Sequence, residues 1–246
     1  MQVALPSRGL LYPADFPSLL TINAFGFSIE DILLQPGNPL KKLAGIVDSV
    51  AKWECDFNGT QLIVGDLYVI IACARALTYG ENYRFKEICP NCSHPEIISI
   101  KVPERLPVKD WSEFATAEDL LKSMTILLPD TKDNIQLRCP TIAQEIEADD
   151  FQRKAKAAGK TDMESRTVIS VANKIETVNG GAPDNLAEAV GYIRGLRGPD
   201  KVELEAKVEE IQPGISLAWT LLCDSCSHQW DVKIPLSGDF FRRNRA

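Results

Sequence analysis

The sequence predicts an α+β fold in which two cysteine-bearing β-hairpins, far apart along the chain, form one module. Two observations predict the hairpins: the motifs CPNCSH at 89–94 and CDSCSH at 223–228, and the extended apolar stretches on either side of each motif. A third observation, helical patterns before the first motif and between the two, predicts N-terminal helices and a large helical insert.

Residues 1–80 are predicted to form an N-terminal arm followed by helices. Frequent prolines and glycines in the first 27 residues favour short extended pieces. Ser28 with Asp31 resembles a capping box before IEDILLQ. Apolar stripes predict two more helices, LKKLAGIVDSVAKW at 40–53 and LYVIIACARALTYG at 67–80. We expect Cys55 and Cys73 to be packing residues rather than ligands, because unoxidised cysteine is often buried.

Residues 105–214 are predicted to be an inserted, mainly helical region. Caps, prolines and glycines delimit five segments with helical patterns, at 118–124, 142–158, 164–178, 185–196 and 200–211.

The two cysteine regions match beyond their thiols. YRFKEI leads into CPNC and SLAWTLL leads into CDSC, and the stretches that follow the motifs close with the similar tetrapeptides IKVP and VKIP. The pattern is strand, tight turn and strand, written twice, over residues 81–104 and 215–236. A hairpin with CxxC at its tip presents two sulfurs on one side of the turn.

Together the tips predict a metal site formed by four thiolates, Cys89, Cys92, Cys223 and Cys226. Four sulfurs in a tetrahedron suit structural zinc, and a filled coordination sphere leaves no position for an activated water. The two halves of a compact ribbon lie roughly 15 to 20 residues apart. An insert at 105–214 accounts for the wider spacing here, because loop-closure entropy grows only slowly with length. Residues 237–246 then form a C-terminal tail.

Other interpretations of the cysteines stay open. Iron can occupy the same four-sulfur cage. A thioredoxin-type redox couple normally lies between a strand and a helix, and no helical pattern follows either motif. His94 and His228 could replace a thiol, but we expect them to be outer hydrogen-bond donors or surface turn residues.

Composition and motifs argue against several functions. A net charge of −7 disfavours a broad nucleic-acid surface, and the basic cluster Arg242, Arg243 and Arg245 is small. The first residues do not resemble a secretion signal, and no apolar run is long enough to cross a bilayer. We therefore expect a protein made in a reducing cytosol, where CxxC pairs are typically metal or redox sites. Common catalytic motifs are missing from the sequence, so we expect no catalytic or further cofactor-binding residues and no enzyme activity.

An ordered set of fragments then resembles a known family. The fragments are LPSRGLLYP near the start, GDLYVIIACARALTYG followed closely by CPNC, IQLRCPT at 135–141, EIQPGISLAWTLLCDSC, and the FF of the terminal FFRRNRA. In this order they resemble the baseplate proteins of T-even-type and related contractile-tailed phages, including the baseplate hub subunit group.

The resemblance implies a non-enzymatic structural or assembly protein that binds other tail proteins at the hub or wedge of a baseplate. It implies a virion location after assembly in the host cytoplasm. From the charge and the short apolar runs we expect neither nucleic acid nor a membrane as partner. The alternative is a zinc-ribbon factor that associates with nucleic acid or a polymerase. Residues 10–12 and Phe240 with Phe241 could be docking arms or could pack on their own fold.

Overall fold

The structure is a computed structural model that describes residues 1–104, 106–159, 165–236 and 238–242. These ranges contain both helices and strands, and all the strand pairs are antiparallel, which is consistent with the predicted α+β class. None of the helices in the described ranges is both long and apolar enough to cross a membrane.

The N-terminal part combines a small sheet with three helices. Strands β1, β2 and β3 pair antiparallel in that order, with bounds Gln2–Val3, Leu20–Ile22 and Ala51–Lys52. The helices are α1 (Ser28–Leu34), α2 (Pro39–Val50) and α3 (Val64–Tyr79), and a short 3-10 helix, Gly59–Gln61, precedes α3.

Two predictions for these helices are wrong in detail. The N-cap of α1 is Phe27 rather than Ser28. Helix α2 ends at Val50 instead of reaching Trp53, because Ala51 and Lys52 pair with β2 as a third strand.

The two predicted hairpins are present as antiparallel pairs. The first consists of β4 (Asn82–Ile88) and β5 (Pro95–Lys101). The second consists of β11 (Ala218–Leu222) and β12 (Gln229–Lys233).

Between the hairpins, two short strands bring the ends of the intervening segment together. Strand β6 (Val108–Lys109) pairs antiparallel with β10 (Gly214–Ile215). The start and the end of the intervening segment therefore lie side by side. The described residues of this segment form a three-stranded antiparallel sheet and five helices. The strands are β7 (Thr125–Leu127), β8 (Asn134–Leu137) and β9 (Ile175–Val178), and the helices are α4 (Ala117–Ser123), α5 (Ile142–Ala157), α6 (Arg166–Ala172), α7 (Leu186–Gly195) and α8 (Gly198–Ile211).

The prediction of one helix over 164–178 is wrong. Glu164 lies outside the described residues, α6 ends at Ala172, and residues 175–178 form β9 against β8. Ile175, Thr177 and Val178 are β-branched and pack well on a pleated surface, which helps to explain why pairing replaces the last helical turns.

Buried apolar residues form two clusters. The larger draws its members from residues 3–106 and 215–241, with Ile142 added. The smaller draws its members from residues 111–211, with Ile63 added. The Ile142 amide donates to the Leu62 carbonyl (2.8 Å). Ile142 and Ile63, which each belong to the cluster of the other segment, therefore lie where the two clusters join.

The C-terminal aromatic residues pack on their own fold. Phe240 and Phe241 are buried, and the Tyr79 hydroxyl donates to the Phe241 carbonyl (2.9 Å). The buried Arg75 guanidinium lies over the rings of Tyr83 and Phe240, at 4.8 and 5.4 Å from their centroids. Thus these phenylalanines are core residues rather than docking arms. Arg242 is exposed, whereas Arg243 and Arg245 lie outside the described residues.

A close backbone contact joins α3 to β10. A Cβ atom at Gly65 would lie 2.0 Å from the carbonyl oxygen of Pro213 and 2.8 Å from the Cα of Gly214. No side chain fits at Gly65 without moving one of the two backbones.

A buried carboxylate ties the N-terminal loop to α3. Asp66, in the first turn of α3, accepts hydrogen bonds from the amide and hydroxyl of Ser7 and from the Tyr12 hydroxyl (2.6 Å to Tyr12). The Tyr12 oxygen in turn accepts from the Ile63 amide at 3.0 Å. Burial raises the pKa of Asp66 to about 6, although the bonds from Ser7 and Tyr12 oppose the rise.

We expect this carboxylate to make stability fall as the pH rises. The folded-state pKa of Asp66 is above its ordinary 3.8, so the contribution of Asp66 is complete below about pH 4 and is lost as the pH rises through about 6. At about 1.4 kcal/mol per pKa unit, the free energy of unfolding should fall by about 3 kcal/mol relative to Asp66→Asn between about pH 3 and pH 7.

Urea unfolding of both proteins across this range measures the difference. Asp15→Asn, at an exposed position in the same loop, serves as the control and should give a curve parallel to that of the unmodified protein. Parallel curves for Asp66→Asn would show that the buried carboxylate is not the source of the pH dependence.

Candidate metal centre

The two cysteine turns have the same backbone hydrogen bonds. The Cys89 amide donates to the His94 carbonyl and the Ser93 amide donates to the Cys89 carbonyl, both at 2.9 Å. In the second turn Cys223, His228 and Ser227 repeat both bonds, again at 2.9 Å. Ser93 and Ser227 also share a left-handed backbone, with φ of 60° and 57°. The sequence repeat therefore corresponds to a repeated local structure.

The hairpin bases are anchored in the larger apolar cluster. One face of the first hairpin buries side chains at alternate positions, namely Tyr83, Phe85, Ile98 and Ile100. In the second hairpin Leu221 is buried, and Trp219 and Trp230 pack against the same cluster. Rigid anchoring of both bases fixes where the two tips lie.

The tips bring together the four cysteine sulfurs that the sequence predicts as ligands. Sγ of Cys89 lies 3.7 Å from Sγ of Cys226, and Sγ of Cys92 lies 3.6 Å from Sγ of Cys223. All four sulfurs lie within 4.8 Å of one another. These two short contacts each join one hairpin to the other.

The spacing of the sulfurs fits a tetrahedral ion. Zn–S bonds of about 2.3 Å place neighbouring sulfurs of a tetrahedron about 3.8 Å apart. A disulfide needs an S–S distance of about 2.0 Å, and all seven cysteines are unbridged. Four thiols at this spacing are a donor set that suits zinc or iron.

Hydrogen bonds between the tips add to the contact. The Asn91 amide nitrogen donates to Sγ of Cys226 at 3.5 Å, and the Asp224 backbone amide donates to Oε1 of Glu96 at 2.9 Å. No sequence pattern points to these three residues. Asn91 and Asp224 lie between the two cysteines of their CxxC motifs, where a side chain or a backbone amide can reach the facing tip.

The four thiols differ in their surroundings. Cys89 and Cys223 are each 1% exposed, whereas Cys92 is exposed and Cys226 is half-buried. Burial raises the pKa of Cys223 to about 12, whereas hydrogen bonds from the Asn91 amide and the His228 backbone amide lower the pKa of Cys226 to about 6. A bound cation would favour the thiolate form at all four positions.

The histidines lie outside the sulfur cluster. His94 and His228 are both exposed and contribute their backbone carbonyls to the turns, and the His228 ring stacks on Trp230 at 6.2 Å. Among the described residues, the four cysteines are the only grouping of metal-binding side chains close enough to share an ion.

The remaining cysteines are separate from this centre. Cys73 and Cys139 are buried, and burial raises their pKa values to about 11 and about 12. Cys55 is half-buried against the larger apolar cluster. Cys55 and Cys73 are therefore packing residues, as the sequence analysis predicts.

Comparison with known proteins gives one family match. The family described as T4 bacteriophage base plate protein matches residues 21–242, a span that includes both hairpins and the segment between them. Neither the curated proteins nor the solved structures contain a significant match.

Proposed function

Because the chain belongs to the family of T4 bacteriophage base plate proteins, we propose that it is a non-enzymatic structural or assembly component of a contractile-tail baseplate. The family match over residues 21–242 is the observation that carries this proposal. A position at the hub or wedge, contacts with other tail proteins and assembly in the host cytoplasm belong to the same proposal.

We further propose that Cys89, Cys92, Cys223 and Cys226 hold a structural zinc ion, with iron as the alternative. The inter-hairpin distances of 3.6 and 3.7 Å support this assignment, since they agree with the edge of a zinc–thiolate tetrahedron. When bound, the ion would cross-link two hairpins that are remote in sequence and so stabilise a zinc-ribbon-like module.

The proposed organisation has four parts. They are an N-terminal region (1–80), the split module (81–104 with 215–236), an insert (105–214) and a C-terminal segment (237–246). The division of the buried residues supports a separate insert, because the smaller cluster lies almost wholly within residues 111–211. The stem formed by β6 and β10 supports the same boundary.

Deletion of the gene from its phage tests the proposed function. We expect infected cells to accumulate incomplete tails, and expression of the intact chain in trans should restore contractile tails visible by electron microscopy. The chain itself should be recovered by mass spectrometry from purified baseplates or from their precursors. Normal tails in the deletion, together with absence of the chain from every tail intermediate, would refute a baseplate role.

A further inference from the structure

The first hairpin has one face that the described fold leaves uncovered. Cross-strand partners place eight side chains on this face, and all eight are exposed: Asn82, Arg84, Lys86, Ile88, Pro95, Ile97, Ser99 and Lys101. The opposite face packs against the larger apolar cluster near the base of the hairpin. Near the tip, Glu96 on this opposite face accepts a hydrogen bond from the Asp224 backbone amide. The exposed face is thus held in place from behind, and in the described part of the chain all eight of its side chains remain open to solvent.

The charge of this face is opposite to that of the whole protein. The chain carries a net charge of −7, but the face has three cations and no carboxylate. Lys101 lies 3.7 Å from Glu104, whereas Arg84 and Lys86 form no ion pair with any described residue. A positively charged face on an otherwise acidic protein is electrostatically complementary to an acidic partner.

Aliphatic side chains lie among these cations. Ile88 and Ile97 are 61% and 76% exposed, and Lys86 lies directly opposite Ile97 across the hairpin. Apolar residues with a polar rim are typical of protein interfaces. Single-stranded nucleic acids are instead bound by stacking on aromatic rings, and the aromatic residues of this hairpin, Tyr83 and Phe85, are buried on its other face. The chemistry therefore favours a protein partner.

We propose that this face of the first hairpin docks an acidic, apolar surface of a different protein of the tail. The inference rests on the proposed baseplate function and adds to it the location and chemistry of one contact. A symmetric contact between two copies through this face would set cations against cations, which is unfavourable, so the partner is another chain.

Photo-cross-linking in infected cells tests the contact. The full chain carries p-benzoylphenylalanine in place of Ile97, and adducts are identified by mass spectrometry. We expect an adduct with a tail protein that has an acidic surface. The adduct should be lost in R84E/K86E and reduced in R84Q/K86Q, because both changes remove the cations. K41E/K52E makes the same change in net charge at exposed positions of α2 and β3, and should keep the adduct.

Binding of the purified chain to the identified protein gives the second readout. R84E/K86E should weaken binding at least about tenfold at low salt and less at high salt, since exposed charges are screened. Unchanged circular dichroism and metal content would show that the variant is folded.

Several results would overturn the proposal. They are no adduct, an adduct with nucleic acid or with a second copy of this chain, and equal adduct yields for R84E/K86E and the unmodified chain. Entry of R84E/K86E into baseplates at normal levels would reject this surface alone. Absence of the unmodified chain from every tail intermediate would reject the baseplate function itself.

Discussion

The proposed metal site predicts that Cys89→Ser and Cys226→Ser proteins each bind no metal ion and lose a large part of their stability. Each substitution removes one sulfur from a pair that joins the hairpins at 3.7 Å. Structural zinc contributes about 10 to 16 kcal/mol in small zinc-binding peptides. Loss of even part of such a contribution is comparable with the whole stability of a typical domain, about 5 to 15 kcal/mol. Elemental analysis and thermal unfolding measure the two losses.

The chain offers a matched control for these variants. Cys55 is half-buried and lies outside the sulfur cluster, so Cys55→Ser should keep one metal ion per chain and unfold near the temperature of the unmodified protein. Because the cysteine variants could fail to fold, chelator titration of the unmodified protein supplies a second measurement. A chelator should lower its unfolding temperature. Full metal content in Cys89→Ser, or complete insensitivity to chelator, would rule out the four-thiolate site.

Gly65→Ala is expected to be strongly destabilising although it lies away from the proposed metal centre. The new Cβ would lie 2.0 Å from the Pro213 carbonyl oxygen, and both contacting groups are backbone that cannot rotate aside. Overpacking of a core costs about 1 to 3 kcal/mol and sometimes more. We therefore expect a loss of at least about 3 kcal/mol, or a fall in unfolding temperature of roughly 6 to 12 °C for a protein of this size.

Gly191→Ala is the control for this substitution. Gly191 lies in α7, and a Cβ there would meet no atom within 4 Å. Alanine is a better helix former than glycine, so this variant should gain about 0.5 to 1 kcal/mol. Calorimetry on both variants gives the comparison. Equal unfolding temperatures would contradict the close approach of α3 and β10.

The sequence was most informative where a pattern occurs twice. The doubled CxxC, the matching serine and histidine positions and the alternating strands were sufficient to predict two hairpins. Two helix caps were also readable, since Thr116 and Thr141 accept hydrogen bonds from the amides of Asp119 and Gln144, whereas the cap predicted at Ser28 was wrong. Signals of this kind are local, so they can be read from a single chain.

Features that depend on distant contacts were missed. In strand β9, Ile175 and Val178 have the spacing of a helical turn and continue the pattern of α6, so its pairing with β8 was needed to identify it as a strand. The role of Asp66 depends on Ser7 and Tyr12, which are more than fifty positions away. Asp66 could be read only as part of a helix start, because its partners are brought to it by tertiary packing.

The two-stranded stem formed by β6 and β10 has a consequence for divergence within the family. The segment between the hairpins begins at β6 and ends at β10, and these two strands pair with each other. Insertions or deletions between β6 and β10 are therefore expected to leave the geometry of the stem unchanged. We therefore expect changes in the length of the segment between β6 and β10 to leave the register of the paired tips unchanged.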